Sequence, residues 1–170
     1  LGVLGEGGRG LLGTLPATPH TAYILLSSMG KALGVPGGLI AGSRDLIQAL
    51  WESPFFGGAS PVIPAYLYAF LQCQALRKEQ LERLQARLHF FTQMNPAPKY
   101  FRQVRGHPVF YIREAGLADF LAQHRILISS FHYPTAQDPK ISRIVINAAH
   151  KTADLEKLAT LIHGYQAQRA

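Results

Sequence analysis

A lysine between two glycines carries the clearest chemical signal in the sequence. Lys31 lies in Ser27-Ser28-Met29-Gly30-Lys31-Ala32-Leu33-Gly34, just after a short apolar run. Burial of an amine in such a hydroxyl-rich pocket favours its neutral form, which can make a Schiff base with a carbonyl compound. An ordinary surface lysine in a loop is the alternative. A nucleotide-binding P-loop is excluded, because Leu25 replaces the first glycine of that motif and Ala32 replaces its Ser or Thr.

A second glycine motif is weaker. Gly5-Glu6-Gly7-Gly8-Arg9-Gly10 has the spacing G-x-G-x-x-G, which binds a dinucleotide only between a strand and a helix. No strand is predicted before it, and Pro16 and Pro19 interrupt any helix after it. We therefore expect a glycine-rich loop. The seven histidines and the single cysteine, Cys73, do not have the spacing of metal ligands, so no metal site is predicted.

Arg143 is the third candidate residue. It lies in a predicted strand beside Ile144 and Val145, where its fork of donors could bind an anion through two hydrogen bonds. A structural salt bridge is the alternative. His150, at the end of the same strand, is predicted to hydrogen-bond a turn, whereas nothing in the sequence decides the role of His132.

Composition limits the class of protein. The chain has 170 residues, 48% of them apolar, and 16% charged, which excludes wholesale disorder and is enough for one ordinary folded domain. The net charge is +7, but the basic residues are scattered among acidic ones, so no nucleic-acid partner is predicted. No apolar run reaches the roughly 20 residues that cross a membrane, and no signal peptide is visible. With a single cysteine, these features favour a cytoplasmic protein without a membrane partner.

The pattern of the first half predicts two buried strands followed by helices. The strands are residues 23–26 and 38–42, and Ser43 caps a helix that ends near Trp51. Residues 54–64 are predicted to be a Pro/Gly loop. A long helix over residues 65–94 follows, with Leu81, Leu84, Leu88 and Phe91 on its buried face, and residues 95–98 end it at the predicted domain boundary.

The second half predicts short strands that alternate with helices in a mainly antiparallel α+β module. The strands are residues 100–104, 109–112, 126–131 and 143–147, and the helices are residues 117–124 and 153–165. Thr152 is the predicted N-cap of the last helix.

Three segments, in order, resemble the α-oxoamine synthase family of pyridoxal-phosphate (PLP) enzymes, which includes 8-amino-7-oxononanoate synthase and glycine C-acetyltransferase. They are Gly2-Val3-Leu4-Gly5-Glu6-Gly7-Gly8-Arg9-Gly10, Ser28-Met29-Gly30-Lys31-Ala32-Leu33-Gly34-Val35-Pro36-Gly37-Gly38, and Ser142-Arg143-Ile144-Val145-Ile146-Asn147-Ala148-Ala149-His150. The resemblance spans nearly the whole chain. It implies an α/β fold, namely the C-terminal portion of a PLP-dependent transferase of the aspartate-aminotransferase type (fold type I), with a small α+β C-terminal domain.

The resemblance also implies roles for individual residues. Lys31 matches the lysine that holds PLP covalently and moves the Cα proton of the substrate, so it is both catalytic and cofactor-binding. Ser28 matches a Ser or Thr that donates to the cofactor phosphate, and Arg143 matches an arginine that binds the substrate carboxylate. Members of the family form dimers with active sites at the subunit interface, so a homodimer is expected.

The sequence departs from the family pattern in two places. The family has an Asp, and three residues later a His, just before the Gly-Val-Leu-Gly stretch; both positions would precede Leu1. We therefore expect the chain to begin inside a longer protein and to be inactive alone. In residues 55–61, Gly57 and Gly58 replace hydroxyl residues that reach the partner subunit's cofactor phosphate, so that contact is made by backbone N–H groups or Ser60, or is missing.

The predicted organisation has three parts: residues 1–62 are a remnant of the large PLP-binding domain, 63–95 a connecting helix, and 96–170 the small C-terminal domain. The predicted function of the full-length protein is condensation of an amino acid with an acyl-CoA. The same fold and lysine also serve aminotransferases. A non-catalytic interaction module that keeps the family shape is the second alternative, favoured by Gly57 and Gly58.

Overall fold

The computed structural model describes residues 1–16, 18–94 and 98–169. The chain divides into two compact units, unit 1 (Leu1–Leu81) and unit 2 (Glu82–Ala170). Sequence analysis predicts a domain boundary at residues 95–98. Residues 95–97 of that segment lie outside the described residues. The division of the chain into a large-domain remnant, a connecting helix and a small domain stays a prediction.

The described elements are six helices and six strands, with short 3-10 turns at Glu6–Gly8, Leu12–Thr14 and Pro98–Tyr100. The helices are α1 (Arg44–Trp51), α2 (Pro54–Gly57), α3 (Pro64–Gln72), α4 (Gln74–Met94), α5 (Leu117–Gln123) and α6 (Thr152–Ala167). The strands are β1 (Leu25–Ser28), β2 (Gly38–Ala41), β3 (Phe101–Gln103), β4 (Val109–Ile112), β5 (Ser129–His132) and β6 (Lys140–Val145). No helix in the described part of the chain combines the length and apolar character needed to span a bilayer.

In unit 1, β1 and β2 form a two-stranded antiparallel sheet. The predicted strands are therefore present, the first shifted two residues towards the C-terminus, but the expected burial is wrong. Leu26 is 71% exposed and Ile40 is 47% exposed. The only buried residues described in this unit are Gly8, Met29 and Val35, so its described residues form no continuous core.

The glycine segment of unit 1 is an irregular loop, as predicted. Gly5 has a φ of +79°, and a Cβ atom there would lie 2.0 Å from the carbonyl oxygen of Gly10. Only glycine fits that position. The Gly10 N–H also donates to the Leu4 carbonyl at 2.8 Å, so the segment closes on itself. Among the residues described after it, no long helix follows directly, as a dinucleotide site would need.

The helix predicted over residues 65–94 is divided into α3 and α4 at Cys73. In a continuous helix the Phe70 carbonyl would accept a hydrogen bond from the N–H of Gln74. Here the Arg77 guanidinium donates to that carbonyl and stacks 3.9 Å from the centre of the Phe70 ring. The predicted loop over residues 54–64 also contains α2, because Ser53 accepts a hydrogen bond from the Phe56 N–H and caps it.

The sheet of unit 2 is antiparallel, as predicted. It has four strands in the order β3-β4-β6-β5, which the sequence did not indicate. One face of the sheet packs against the C-terminal part of α4, α5 and α6. The predicted stripe on α4 is confirmed in this unit, since Leu88 and Phe91 are buried and Leu84 packs against them. The Phe91 and Phe110 rings lie edge to face, with centroids 5.2 Å apart.

The start of α6 differs from the prediction. Lys151, not Thr152, occupies the N-cap, and Thr152 is the first helical residue. The Thr152 hydroxyl accepts a hydrogen bond from Arg87 Nη1 at 2.8 Å instead of capping the helix. No described side chain caps this helix end with a hydrogen bond, since the N-cap residue is a lysine.

In the loop between β5 and β6, one carboxylate accepts two hydrogen bonds from the same residue. Asp138 accepts hydrogen bonds from the Thr135 hydroxyl at 2.5 Å and the Thr135 N–H at 2.9 Å. These bonds, above all the one from the hydroxyl, hold the pKa of Asp138 below its usual value. A carboxyl with a lowered folded-state pKa stabilises the loop above its unfolded-state pKa, and that contribution is lost as the pH falls through the folded-state pKa.

Replacing Thr135 with valine is expected to raise the pKa of Asp138 towards its usual value, because the hydroxyl donor is removed. An NMR titration of the Asp138 carboxyl carbon measures the shift. Thr160→Val, which changes an exposed threonine on α6, is the matched control and should leave that titration unchanged. An unaltered pKa of Asp138 in Thr135→Val would contradict this account of the loop.

Candidate functional site

The loop that carries Lys31 is closed by backbone hydrogen bonds. Ser28 and Gly38 form the last pair of the β1–β2 sheet. Just inside it, the Met29 N–H donates to the Gly37 carbonyl at 2.9 Å, and the Val35 N–H donates to the Met29 carbonyl at 3.1 Å. The loop therefore narrows in two steps to a turn whose tip holds Lys31.

Two apolar anchors fix this turn while its polar side chains remain free. Met29 and Val35 are the buried anchors, at 5% and 9% exposure. Ser28 and Lys31 are both exposed, and neither side chain has a hydrogen bond or ion pair to any described residue. The expected burial of Lys31 is therefore wrong for the described chain, because the turn presents the amine outward and no described residue covers it.

Two glycines, one in this turn and one in the N-terminal segment, lie close to its side chains. A Cβ atom on Gly30 would lie 3.9 Å from the Ser28 Oγ, at ordinary van der Waals contact. Gly2, with a φ of +86°, packs against the turn from the N-terminal segment, and a Cβ atom there would lie 2.8 Å from the Ala32 Cβ. The structure thus brings two of the three motif segments into contact, which spacing in the sequence did not predict.

A cleft of about 400 Å³ in unit 2 holds the third candidate residue. Arg143 lies on β6 and pairs with Tyr111 of β4 and Ser129 of β5. Its Nε is buried without a hydrogen-bond partner, and no carboxylate among the described residues pairs with its guanidinium. The structural salt bridge considered from the sequence is therefore not present in the described chain, and the guanidinium is available to an anion.

Phe131 is a neighbour of Arg143 that the sequence did not reveal. The Arg143 guanidinium lies 5.3 Å from the centre of the Phe131 ring, a distance at which a cation is attracted by the ring face. The register of β5 on β6 places the two side chains near each other. Phe131 pairs with Ile141, which lies two residues from Arg143 on the same face of the sheet. That register could not be read from the sequence, because both strands are displaced from their predicted positions.

The remaining candidates have local partners. His150 accepts a hydrogen bond at Nδ1 from the Asn147 N–H at 3.3 Å, which confirms its predicted place in a turn. His132 Nδ1 contacts the Asp138 carbonyl at 2.5 Å. Gly57 and Gly58 lie exposed at the end of α2, and a Cβ atom on Gly57 would meet nothing within 4 Å. No group of three or more metal-ligating side chains occurs within residues 1–16, 18–94 and 98–169.

Comparison with known proteins identifies the family. The model of the family "aminotransferase class I and II" matches residues 5–162. The chain belongs to this family. The match begins in the glycine segment and includes Ser28, Lys31 and Arg143.

Curated relatives match over nearly the whole chain but only part of their own length. The 8-amino-7-oxononanoate synthase of Herminiimonas arsenicoxydans is 29% identical over 186 residues, covering 97% of this chain and 46% of the relative. That of Thioalkalivibrio sulfidiphilus is 27% identical over 169 residues, covering 93% and 43%. The chain thus spans less than half the length of these relatives.

Solved structures show the same fold. The 8-amino-7-oxononanoate synthase of Francisella tularensis superposes with a TM-score of 0.67 at 21% identity, covering 99% of this chain and 52% of that one. A serine palmitoyltransferase from S. paucimobilis with a bound PLP–myriocin aldimine gives 0.63 at 17% identity, covering 96% and 44%. The expected fold, the C-terminal part of a PLP-dependent transferase of the aminotransferase type, is confirmed.

Proposed function

We propose that the full-length protein is a PLP-dependent transferase that condenses an amino acid with an acyl-CoA. The turn that carries Ser28 and Lys31 is the observation that supports it most directly. An unpaired amine and an unpaired hydroxyl, three residues apart on a turn held by buried Met29 and Val35, suit a cofactor that carries an aldehyde and a phosphate. Family membership and the named relatives support the same cofactor.

When bound, PLP supplies the electron sink that makes the Cα of an amino acid acidic. Three residues of the chain then act on the cofactor and the substrate. The Lys31 Nζ attaches the cofactor and afterwards moves the proton at the substrate Cα. The Ser28 hydroxyl donates a hydrogen bond to the phosphate, and the Arg143 guanidinium binds the substrate carboxylate through its fork of donors.

The proposed overall reaction is balanced without an external oxidant or reductant. A bond forms between the Cα of the amino acid and the acyl carbon, and the thioester bond to CoA breaks. The amino-acid carboxyl group leaves as carbon dioxide, and CoA leaves as the free thiol. We propose a homodimer as the working form, in line with the expectation from the family.

An assay with two co-substrates separates acyl transfer from amino transfer. The full-length protein, loaded with PLP, is given a panel of amino acids with either acyl-CoA or a 2-oxo acid. Thiol release from acyl-CoA that requires the amino acid supports the proposal. Amino transfer to the 2-oxo acid without thiol release would overturn it in favour of an aminotransferase, and no turnover with any pair would favour the interaction module.

A further inference from the structure

A cavity of about 510 Å³ lies in unit 2 beside β3, the edge strand of its sheet. Its lining comes from the residues just before β3, just after β4 and just after α6, namely Lys99, Tyr100, Arg113, Glu114 and Arg169. None of these residues belongs to the three motif segments. An inference from this cavity therefore does not rest on the proposed function.

Positive charge exceeds negative charge in this lining. Lys99, Arg113 and Arg169 carry the positive charges, and Glu114 carries the one negative charge among the described lining residues. Arg169 Nη1 donates to Glu114 Oε1, whereas the side chains of Lys99 and Arg113 have no ion pair or hydrogen bond with any described residue. Three like charges around one cavity repel each other, and a bound anion removes that cost. Two cations are therefore available to an anion.

Two buried tyrosine rings place the cations at either end of the lining. The Tyr100 and Tyr165 rings pack edge to face with their centres 6.3 Å apart, and both are buried, at 8% and 5% exposure. Lys99 Nζ lies 5.3 Å from the centre of the Tyr100 ring, and the Arg169 guanidinium lies 5.0 Å from the centre of the Tyr165 ring. Both cations are thus within the distance at which a ring face attracts them.

Hydrogen bonds connect the remaining lining residues to the same two tyrosines. The Arg113 N–H donates to the Tyr100 carbonyl at 2.8 Å, which joins the end of β4 to the segment before β3. The Tyr165 hydroxyl donates to the Ala115 carbonyl at 2.9 Å and lies 3.5 Å from Glu114 Oε1. All five lining residues therefore belong to one network of contacts.

We propose that this cavity binds a phosphate group, either as the free ion or as part of a small organic phosphate. A phosphate dianion balances the two cations that have no partner, Lys99 and Arg113. The Arg113 guanidinium offers a fork of donors to two phosphate oxygens, and the Lys99 ammonium adds a compact charge. A monocarboxylate, with a single charge, would leave one of these cations unbalanced. The cavity is larger than inorganic phosphate and lies within the size range of small-molecule sites, which leaves room for an ester substituent.

Two-dimensional NMR of the isotopically labelled 170-residue chain tests the proposal, because it locates a ligand and also measures its affinity. Inorganic phosphate, glycerol 3-phosphate and acetate are titrated separately. Phosphate is expected to shift the amide signals of the lining residues and to bind about tenfold more tightly than acetate, because it makes one more charge-assisted contact. Phosphate shifts confined to the turn around Lys31 or to the strand around Arg143 would overturn the proposal.

The two phosphate ligands distinguish the source of the group. Tighter binding of glycerol 3-phosphate than of inorganic phosphate supports an organic phosphate as the ligand. Binding of inorganic phosphate at least as tight as that of the ester supports the free ion. Acetate binding as tight as that of both phosphates would show that the cavity does not recognise a phosphate group.

Charge variants of the lining separate binding from folding. Lys99→Gln and Arg113→Gln should each weaken phosphate binding about tenfold, because each removes one charge-assisted contact. Glu114→Gln should tighten it about threefold, because it removes a nearby negative charge and releases Arg169 to the anion. A folding defect cannot produce that gain.

Two exposed cations outside the lining provide matched controls. Lys140→Gln on β6 and Arg105→Gln between β3 and β4 remove the same charges and should leave phosphate binding unchanged. Losses in these controls equal to those in Lys99→Gln and Arg113→Gln would mean that net charge alone attracts the anion, which would contradict a defined site. Weaker phosphate binding in Glu114→Gln would also contradict it.

Discussion

Replacing Lys31 with alanine is expected to lower the turnover of the full-length protein by at least about 10²–10⁴-fold, the usual effect of losing a positioned proton-transfer group. The loss should be larger still because the same amine attaches the cofactor. The Lys31 side chain is exposed and has no partner among the described residues, so its removal should leave the melting temperature of the cofactor-free protein unchanged. Steady-state assays and thermal unfolding of the variant measure the two effects.

Lys78→Ala is the matched control for this variant. Lys78 is an exposed lysine on α4 outside the three motif segments. Its replacement removes the same charge and should leave turnover intact. Equal activity in Lys31→Ala and Lys78→Ala would show that Lys31 is an ordinary surface lysine.

The second large effect concerns the core of unit 2. Phe110 is 1% exposed on β4 and makes edge-to-face contacts with Phe91 and Phe101, at centroid distances of 5.2 Å and 6.1 Å. Replacing it with alanine removes these contacts and leaves a cavity, which should lower the free energy of unfolding by about 3–5 kcal/mol. Denaturant unfolding followed by circular dichroism measures the change.

Phe55→Ala provides the comparison within the same chain. The Phe55 ring on α2 is 90% exposed, so the same chemical change there should alter the free energy of unfolding by less than about 0.5 kcal/mol. A loss in Phe110→Ala no larger than that in Phe55→Ala would mean that unit 2 does not fold around this aromatic cluster.

The arrangement of unit 2 was largely readable from the sequence. The apolar spacing of Leu84, Leu88 and Phe91 predicted the buried face of α4, and alternating short runs predicted an antiparallel sheet. These predictions hold because the unit encloses its own apolar residues. Each local pattern then agrees with the final packing.

Unit 1 was predicted less well. Its apolar runs predict buried side chains, but the described residues of the chain do not cover them. The apolar runs containing Leu26 and Ile40 indicated buried strands, yet both side chains are exposed. The break at Cys73 depends on the Arg77 guanidinium reaching the Phe70 carbonyl, a side-chain contact that no spacing rule contains.

The candidate site was likewise predictable only in part. Glycine spacing and the position of Lys31 were enough to predict the turn, whereas the packing of Gly2 against Ala32 and the stacking of Arg143 over Phe131 depend on three-dimensional placement.

Borohydride trapping of PLP on the full-length protein, followed by peptide mass mapping, tests the central claim most directly. Reduction fixes the Schiff base wherever it forms. The account predicts one stoichiometric adduct, located on Lys31. Scattered substoichiometric labelling of other lysines, such as Lys78, Lys99, Lys140, Lys151 and Lys157, would contradict it and would indicate that the family shape is kept without the family chemistry.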